Sequence, residues 1–174
     1  MAMYVAISAP ISYSLLRSKE PHFRLVAGHN FLCASLMLRG DIAEGRAHFD
    51  QAIALYAPAA HRPLATRFGE DQRVVSLFFR SRALWVLGYS ESALVDTDHA
   101  LEDARESPVS AFLALAGAFY INCFCGNYTI ANAQVDELVA LADEKNSKPL
   151  TCPHGWGSYC RSPHCAGVDR TSPQ

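Results

Sequence analysis

Charge is scarce in this sequence. Only 18% of the 174 residues are Asp, Glu, Lys or Arg, and 15 basic side chains against 17 acidic ones leave a formal net charge of −2. A nucleic-acid binder needs a basic surface that displaces counterions from phosphates, so this balance excludes that class. A long apolar run is missing as well. Residues 1–16 are interrupted by Ser8, Pro10, Ser12 and Ser14, which leaves too little unbroken apolar chain to span a bilayer. No Lys or Arg precedes that stretch, so it has no basic n-region of a secretory signal. These absences point to the cytoplasm and to no membrane partner. With 50% hydrophobic residues the chain is not disordered as a whole. Its charge content, below the roughly 25% of ordinary soluble domains, implies a surface that packs against more protein.

Catalytic motifs are missing too. None of the ten glycines is followed by Lys, so there is no phosphate-binding G-x-x-x-x-G-K-[ST] loop. No run shows the period-2 alternation of a strand on which cyclase-type metal carboxylates would sit. There is no G-x-S-x-G elbow for a serine nucleophile. His29, His48, His61 and His99 include no i, i+4 pair and no H-E-x-x-H, so they read as exposed or capping histidines. Glu70-Asp71 and Glu102-Asp103 read as carboxylates on solvated helical faces. The expectation is a protein with no enzyme activity and no cofactor.

What is present falls into three parts. Residues 1–21 are small and Ser-containing and read as a disordered segment; residues 22–145 are helix-forming and read as the folded domain. Residues 146–174 hold four of the nine prolines and three of the six cysteines, with Leu150 and Val168 as their only aliphatic side chains. That tail has too little apolar surface to offset the entropy of ordering it. Cys33, Cys123 and Cys125 lie in apolar periodic segments and read as buried free thiols.

Within residues 22–145 one pattern recurs. LMLRGDIAEGRAHFDQAIALY, ALWVLGYSESALVDTDHAL and NCFCGNYTIANAQVDELVAL align on Gly40, Gly88 and Gly126. Five residues after each glycine stands Gly45, Ala93 or Ala131. At +9 stands Phe49, Thr97 or Val135, at +12 Ala52, Ala100 or Leu138, and at +13 Ile53, Leu101 or Val139. These offsets share one face of an α-helix. Each unit therefore reads as a helical hairpin whose glycine ends helix A at positive φ and whose small +5 residue lets helix B come close. Asp41 with Glu44 predicts a capping box, and Ser90 and Asn127 are expected N-caps. The stretch 58–73, PAAHRPLATRFGEDQR, reads as an inserted loop that lengthens the first interval. Helices are expected at 23–38 and 42–56, 72–87 and 91–105, and 109–125 and 128–145.

This pattern resembles the tetratricopeptide repeat, with its glycine at the turn, small residues at +5 and +12 and an aromatic at +9. Thr97 and Val135 depart from that aromatic. The segments AHFDQAIALYAPAAHRPLATRFGEDQRV, ALWVLGYSESALVDTDHALEDARE and CGNYTIANAQVDELVALADEKN look more narrowly like the repeats C-terminal to the cyclase and ATPase modules of bacterial, rhizobial-type adenylate/guanylate cyclase proteins. The resemblance implies an all-α, tetratricopeptide-like solenoid of three hairpins. It also implies a regulatory or partner-binding role as a fragment of a larger signalling protein. Its partner would be a protein or peptide, or the remainder of a larger repeat protein, and self-association through the uncapped last hairpin is a further expectation. Carrying over the family's groove positions gives Asn30 and Met37 from the first hairpin, Phe78, Arg82 and Trp85 from the second, and Tyr120 and Phe124 from the third. Arg82 and Trp85, at i and i+3, are of the types enriched at binding hot spots. The competing reading is that Phe78 and Trp85 simply pack against the adjoining repeat.

The tail offers a different chemistry. Cys152, His154, Cys160, His164 and Cys165 are zinc-type ligands in a short Pro/Gly-rich segment. Their spacings match no paired knuckle or finger. The abrupt change of composition after Lys145 reads instead as a truncated, frameshifted or otherwise noncognate tail.

Overall fold

A computed structural model describes residues 20–106 and 110–144. Seven helices make up these described residues: α1 Pro21–Arg39, α2 Ile42–Leu55, α3 Pro58–Phe68, α4 Gln72–Val86, α5 Ser90–Glu106, α6 Ala111–Phe124 and α7 Tyr128–Glu144. The protein is all-α, and six of the helices form three hairpins, α1/α2, α4/α5 and α6/α7. Each first helix also packs on the first helix of the next hairpin, and the second helices α2 and α5 pack on that same helix, α4 and α6 respectively. The result is two layers, with α1, α4 and α6 in one and α2, α5 and α7 in the other. The twelve ends of these six helices fall within two residues of those read from the sequence, the usual margin for frayed ends.

The three turns are built alike. Gly40, Gly88 and Gly126 have φ of 92°, 88° and 80°, the left-handed region that favours glycine. In each turn the glycine N–H donates to the carbonyl three residues back, Met37, Trp85 or Cys123, at 3.0–3.1 Å. The next N–H donates to the carbonyl five residues back, Leu36, Leu84 or Asn122, at 2.8–2.9 Å. These paired bonds form a Schellman motif and satisfy carbonyls that the helix end would otherwise orphan.

Starting the second helices is less uniform. The Asp41 carboxylate makes no capping bond and pairs instead with Arg39 at 3.3 Å, so the expected capping box is not formed. Ser90 is the first helical residue of α5, one position past a cap. Asn127 does stand just before α7, but its amide donates to Asn122 Oδ1 at 3.1 Å.

The small residues of the pattern sit where the layers meet. Ala93 and Ala131 are buried, and a Cβ at Gly45 would lie 3.2 Å from the Cys33 carbonyl oxygen and 3.3 Å from Met37 Cγ. At +9, Phe49 and Thr97 are buried, and the Thr97 hydroxyl donates to the Leu94 carbonyl at 2.7 Å, which satisfies the polar group where the pattern wants an aromatic. In the third hairpin Val135 and Leu138 are only half-buried, and Val139 is exposed, because no further hairpin covers them among the described residues. The central core joins Val74 and Leu77 of α4 to Ala100 and Ala104 of α5 and Ala114 of α6, with Ile53 of α2 packed on it.

Residues 58–68 are a helix, not the loop read from their two prolines. Pro58 stands in the first turn, where its missing N–H costs nothing, and Gly69 closes the end at φ 81°. Leu64 and Phe68 of α3 pack on Phe23 and Ala27 of α1, with the Phe23 and Phe68 rings stacked at 5.3 Å. Burying Phe23 there contributes about 2 kcal/mol. Arg62 pairs with Asp103 and Glu106, and Arg73 Nε donates to Asp103 at 2.7 Å, which ties α3 and α4 to the end of α5. Arg80 of α4 donates to both Asp96 oxygens at 2.7 Å and to Asp50 at 2.8 Å, spanning three helices.

The acidic pairs are therefore not simply solvated. Asp71 is buried at the N-cap of α4, where its two oxygens accept from the Tyr56 hydroxyl at 2.8 Å and the Arg73 N–H at 2.9 Å. Burial pushes its carboxyl above the ordinary value of 3.8 despite those bonds.

Candidate interaction groove

On α4, Phe78, Arg82 and Trp85 are spaced i, i+4 and i+7 and share one face. On α6 the neighbouring face carries Gly117, Tyr120 and Phe124. The two faces meet at Gly117: a Cβ added there would lie 2.8 Å from Phe78 Cδ2. With only hydrogen at that position, the Phe78 ring rests directly on the α6 backbone. Its other flank is fixed by Phe79, edge-on at 4.9 Å, and Phe79 stacks in turn on Phe49 of α2 at 5.9 Å.

Arg82 lies between two rings. Its guanidinium carbon is 3.7 Å from the Phe78 centroid and 4.9 Å from that of Tyr120. Such contacts contribute about 0.5–2 kcal/mol each, and they hold the guanidinium between the two rings. Tyr120 continues to Phe124 at 6.2 Å, and Phe124 to Trp85 at 4.6 Å. A run of rings with one cation in its middle therefore spans two helices of the same layer. Phe124 is 48% exposed, whereas Phe78, Arg82, Trp85 and Tyr120 are half-buried.

Phe78, Arg82, Trp85, Tyr120 and Phe124 are thus brought together; Asn30 and Met37 are not. Asn30 is buried, with its amide donating to the Gln72 carbonyl and to Gln72 Oε1, each at 3.1 Å, and its Oδ1 accepting from the Ser76 hydroxyl at 2.7 Å. It joins α1 to α4 and lines no surface. Met37 turns toward Gly45 of its own hairpin. The packing expected of Phe78 and Trp85 is present as well, since both touch α6 through Gly117 and Phe124.

Of the histidines expected to be exposed or capping, only His99 is exposed; His29 and His48 are half-buried and form a second cluster, and His61 is buried. His29 on α1 and His48 on α2 face each other across the first hairpin with Nδ1 atoms 3.1 Å apart and rings tilted by 32°. Burial, and then the neighbouring His48, hold the His29 imidazole below its ordinary value of 6.5. His61 is buried between the edges of Phe23 and Tyr56, and its Nδ1 accepts from the Ala57 N–H at 3.1 Å.

Cys33, Cys123 and Cys125 are free thiols. Burial pushes the Cys33 thiol well above its ordinary range, and its Sγ donates to the Asn30 carbonyl. The tail ligands Cys152, His154, Cys160, His164 and Cys165 lie outside the described residues. Among the described residues no group of three or more His, Cys, Asp or Glu is placed to hold a metal ion, and no helix is long and apolar enough to cross a membrane. No family model, curated protein or solved structure matches the chain.

Proposed function

We propose that the chain is a helical-repeat interaction module that binds a protein segment through the aromatic and arginine face of α4 and α6 and catalyses nothing itself. The observation that carries this reading is the continuous run Phe78, Arg82, Tyr120, Phe124 and Trp85, drawn from two successive helices of one layer. Arg and Trp dominate binding hot spots because they combine large contact area with directed polar groups. Rigid rings and a pre-stacked guanidinium lose little entropy on docking. The groove positions are those that a resemblance to tetratricopeptide repeats implies. On that footing the module belongs to a cytoplasmic signalling protein of the adenylate/guanylate cyclase type, and its partner is a peptide, a protein or the rest of such a protein.

Selecting a displayed peptide library on the purified chain tests this. Selected peptides should lose at least tenfold in affinity for Arg82→Ala and for Trp85→Ala, and should keep their affinity for a control substitution at exposed Leu25, on another helix. Peptides that bind both patch variants as tightly as the parent would remove the groove from consideration.

A further inference from the structure

The His29 and His48 pair stands apart from the repeat pattern and from the groove. Its members lie eleven residues before and eight after the turn glycine; the corresponding positions hold Leu77 and Asp96 in the second hairpin and Leu115 and Gln134 in the third. Only the first hairpin places two imidazoles there, and both are half-buried.

From the convergence of the two Nδ1 atoms at 3.1 Å we infer that His29 and His48 form a two-imidazole site for a borderline divalent ion such as zinc, which clamps α1 to α2. Imidazole nitrogen binds zinc at about 2.1 Å, so a separation of 3.1 Å corresponds to an angle at the ion of about 95°, within the range that four- to six-coordinate ions accept. Carboxylate and thiol ligands do not complete the shell among the described residues, so water fills the remaining positions. Without an ion, one Nδ1 carries hydrogen and donates to the other. On binding, that ring moves its hydrogen to Nε2 through solvent, both Nδ1 lone pairs turn to the ion, and no net proton is released while the rings are neutral.

The site is independent of the groove reading, and so is its test. Zinc chloride is titrated calorimetrically into the full chain carrying Ser at Cys152, Cys160 and Cys165, so that tail thiolates do not compete. One zinc per chain is expected. His29→Gln and His48→Gln should each weaken binding at least tenfold, and His99→Gln should leave it unchanged. Undiminished binding in either pair variant, or none at millimolar zinc, overturns the site. Should a pair variant fail to fold, carbethoxylation of the parent decides. Zinc must protect both His29 and His48 from diethyl pyrocarbonate, and protection absent from either overturns the inference.

Discussion

Two mid-helix glycines in the same layer provide a controlled comparison of propensity against packing. Gly28 in α1 has nothing within 4 Å of an added Cβ, whereas at Gly117 in α6 that Cβ would meet Phe78 Cδ2 at 2.8 Å. Neither has positive φ, so alanine fits both backbones without strain. Alanine is favoured over glycine in a helix interior by about 1 kcal/mol, and Gly28→Ala should gain most of that. Gly117→Ala gains the same term but must displace the Phe78 ring, which is held between Phe79 and the Arg82 guanidinium. Forcing a methyl into a filled site costs about 1–3 kcal/mol. The two variants should therefore differ by about 1–3 kcal/mol, Gly28→Ala being more stable than the parent and Gly117→Ala no more stable or less so. Urea denaturation followed by circular dichroism measures the difference. If Gly117→Ala gains as much as Gly28→Ala, the ring does not rest on the α6 backbone and the account of the groove fails.

Further predictions concern packing, protonation and association. Ala93→Leu and Ala100→Leu each place a large side chain at a buried position where helices meet, and each should destabilise by about 1–3 kcal/mol in thermal melts; two unchanged melting temperatures would contradict the hairpin contacts. The imidazoles of His29 and His61 are held below 6.5, first by burial and then by His48 and His22 respectively. The unfolded chain protonates these groups first, so their contribution is fully present above about pH 6.5 and is lost as pH falls through their folded values. Asp71, raised by burial, acts in the opposite sense, its contribution being lost as pH rises through its folded value. The denaturation midpoint of His29→Gln should therefore fall less than the parent's on acidification from about pH 7.5 to about pH 5.5; equal falls would exclude His29 from the effect. Asp at Ile130 and Val139, exposed apolar positions of α7, should abolish any concentration-dependent association in sedimentation while leaving the first two hairpins folded; association that survives both changes runs through another surface.

The hairpins were legible because each turn is a local event. A glycine, a small residue five positions on and an apolar stripe together fix a Schellman turn and a close crossing without reference to distant chain. Residues 58–68 misled because Pro58 and Pro63 weigh against helix when counted as composition. Read as positions, Pro58 at the start and Gly69 just past the end are helix boundaries, and that signal was available. Asn30 failed as a groove residue because its fate depends on Gln72 and Ser76, more than 40 residues away, and no offset within a hairpin reports that network. His29 and His48 were read as separate exposed or capping residues for a related reason. Spacing rules within one helix do not register two residues 19 apart that a turn folds onto each other. The five aromatic and arginine positions came together because all lie on α4 or α6, where periodicity alone sets the face.

The flank of the third hairpin that no other described residue covers has a thermodynamic consequence for the face of α4 and α6. Contacts in a hairpin array run between neighbours, so amide protection should decline from the central hairpin toward α7, and the terminal unit opens at the least cost. Phe78, Arg82 and Trp85 belong to the central hairpin, while Tyr120 and Phe124 belong to the last described one. A segment docked across both helices engages the closed array alone, and its binding free energy then opposes opening of the end. Affinity and the hydrogen-exchange rates of α6 and α7 are therefore linked quantities: substitutions that loosen the last hairpin weaken binding without touching the ligand, and a bound ligand slows exchange in α7, which it never contacts.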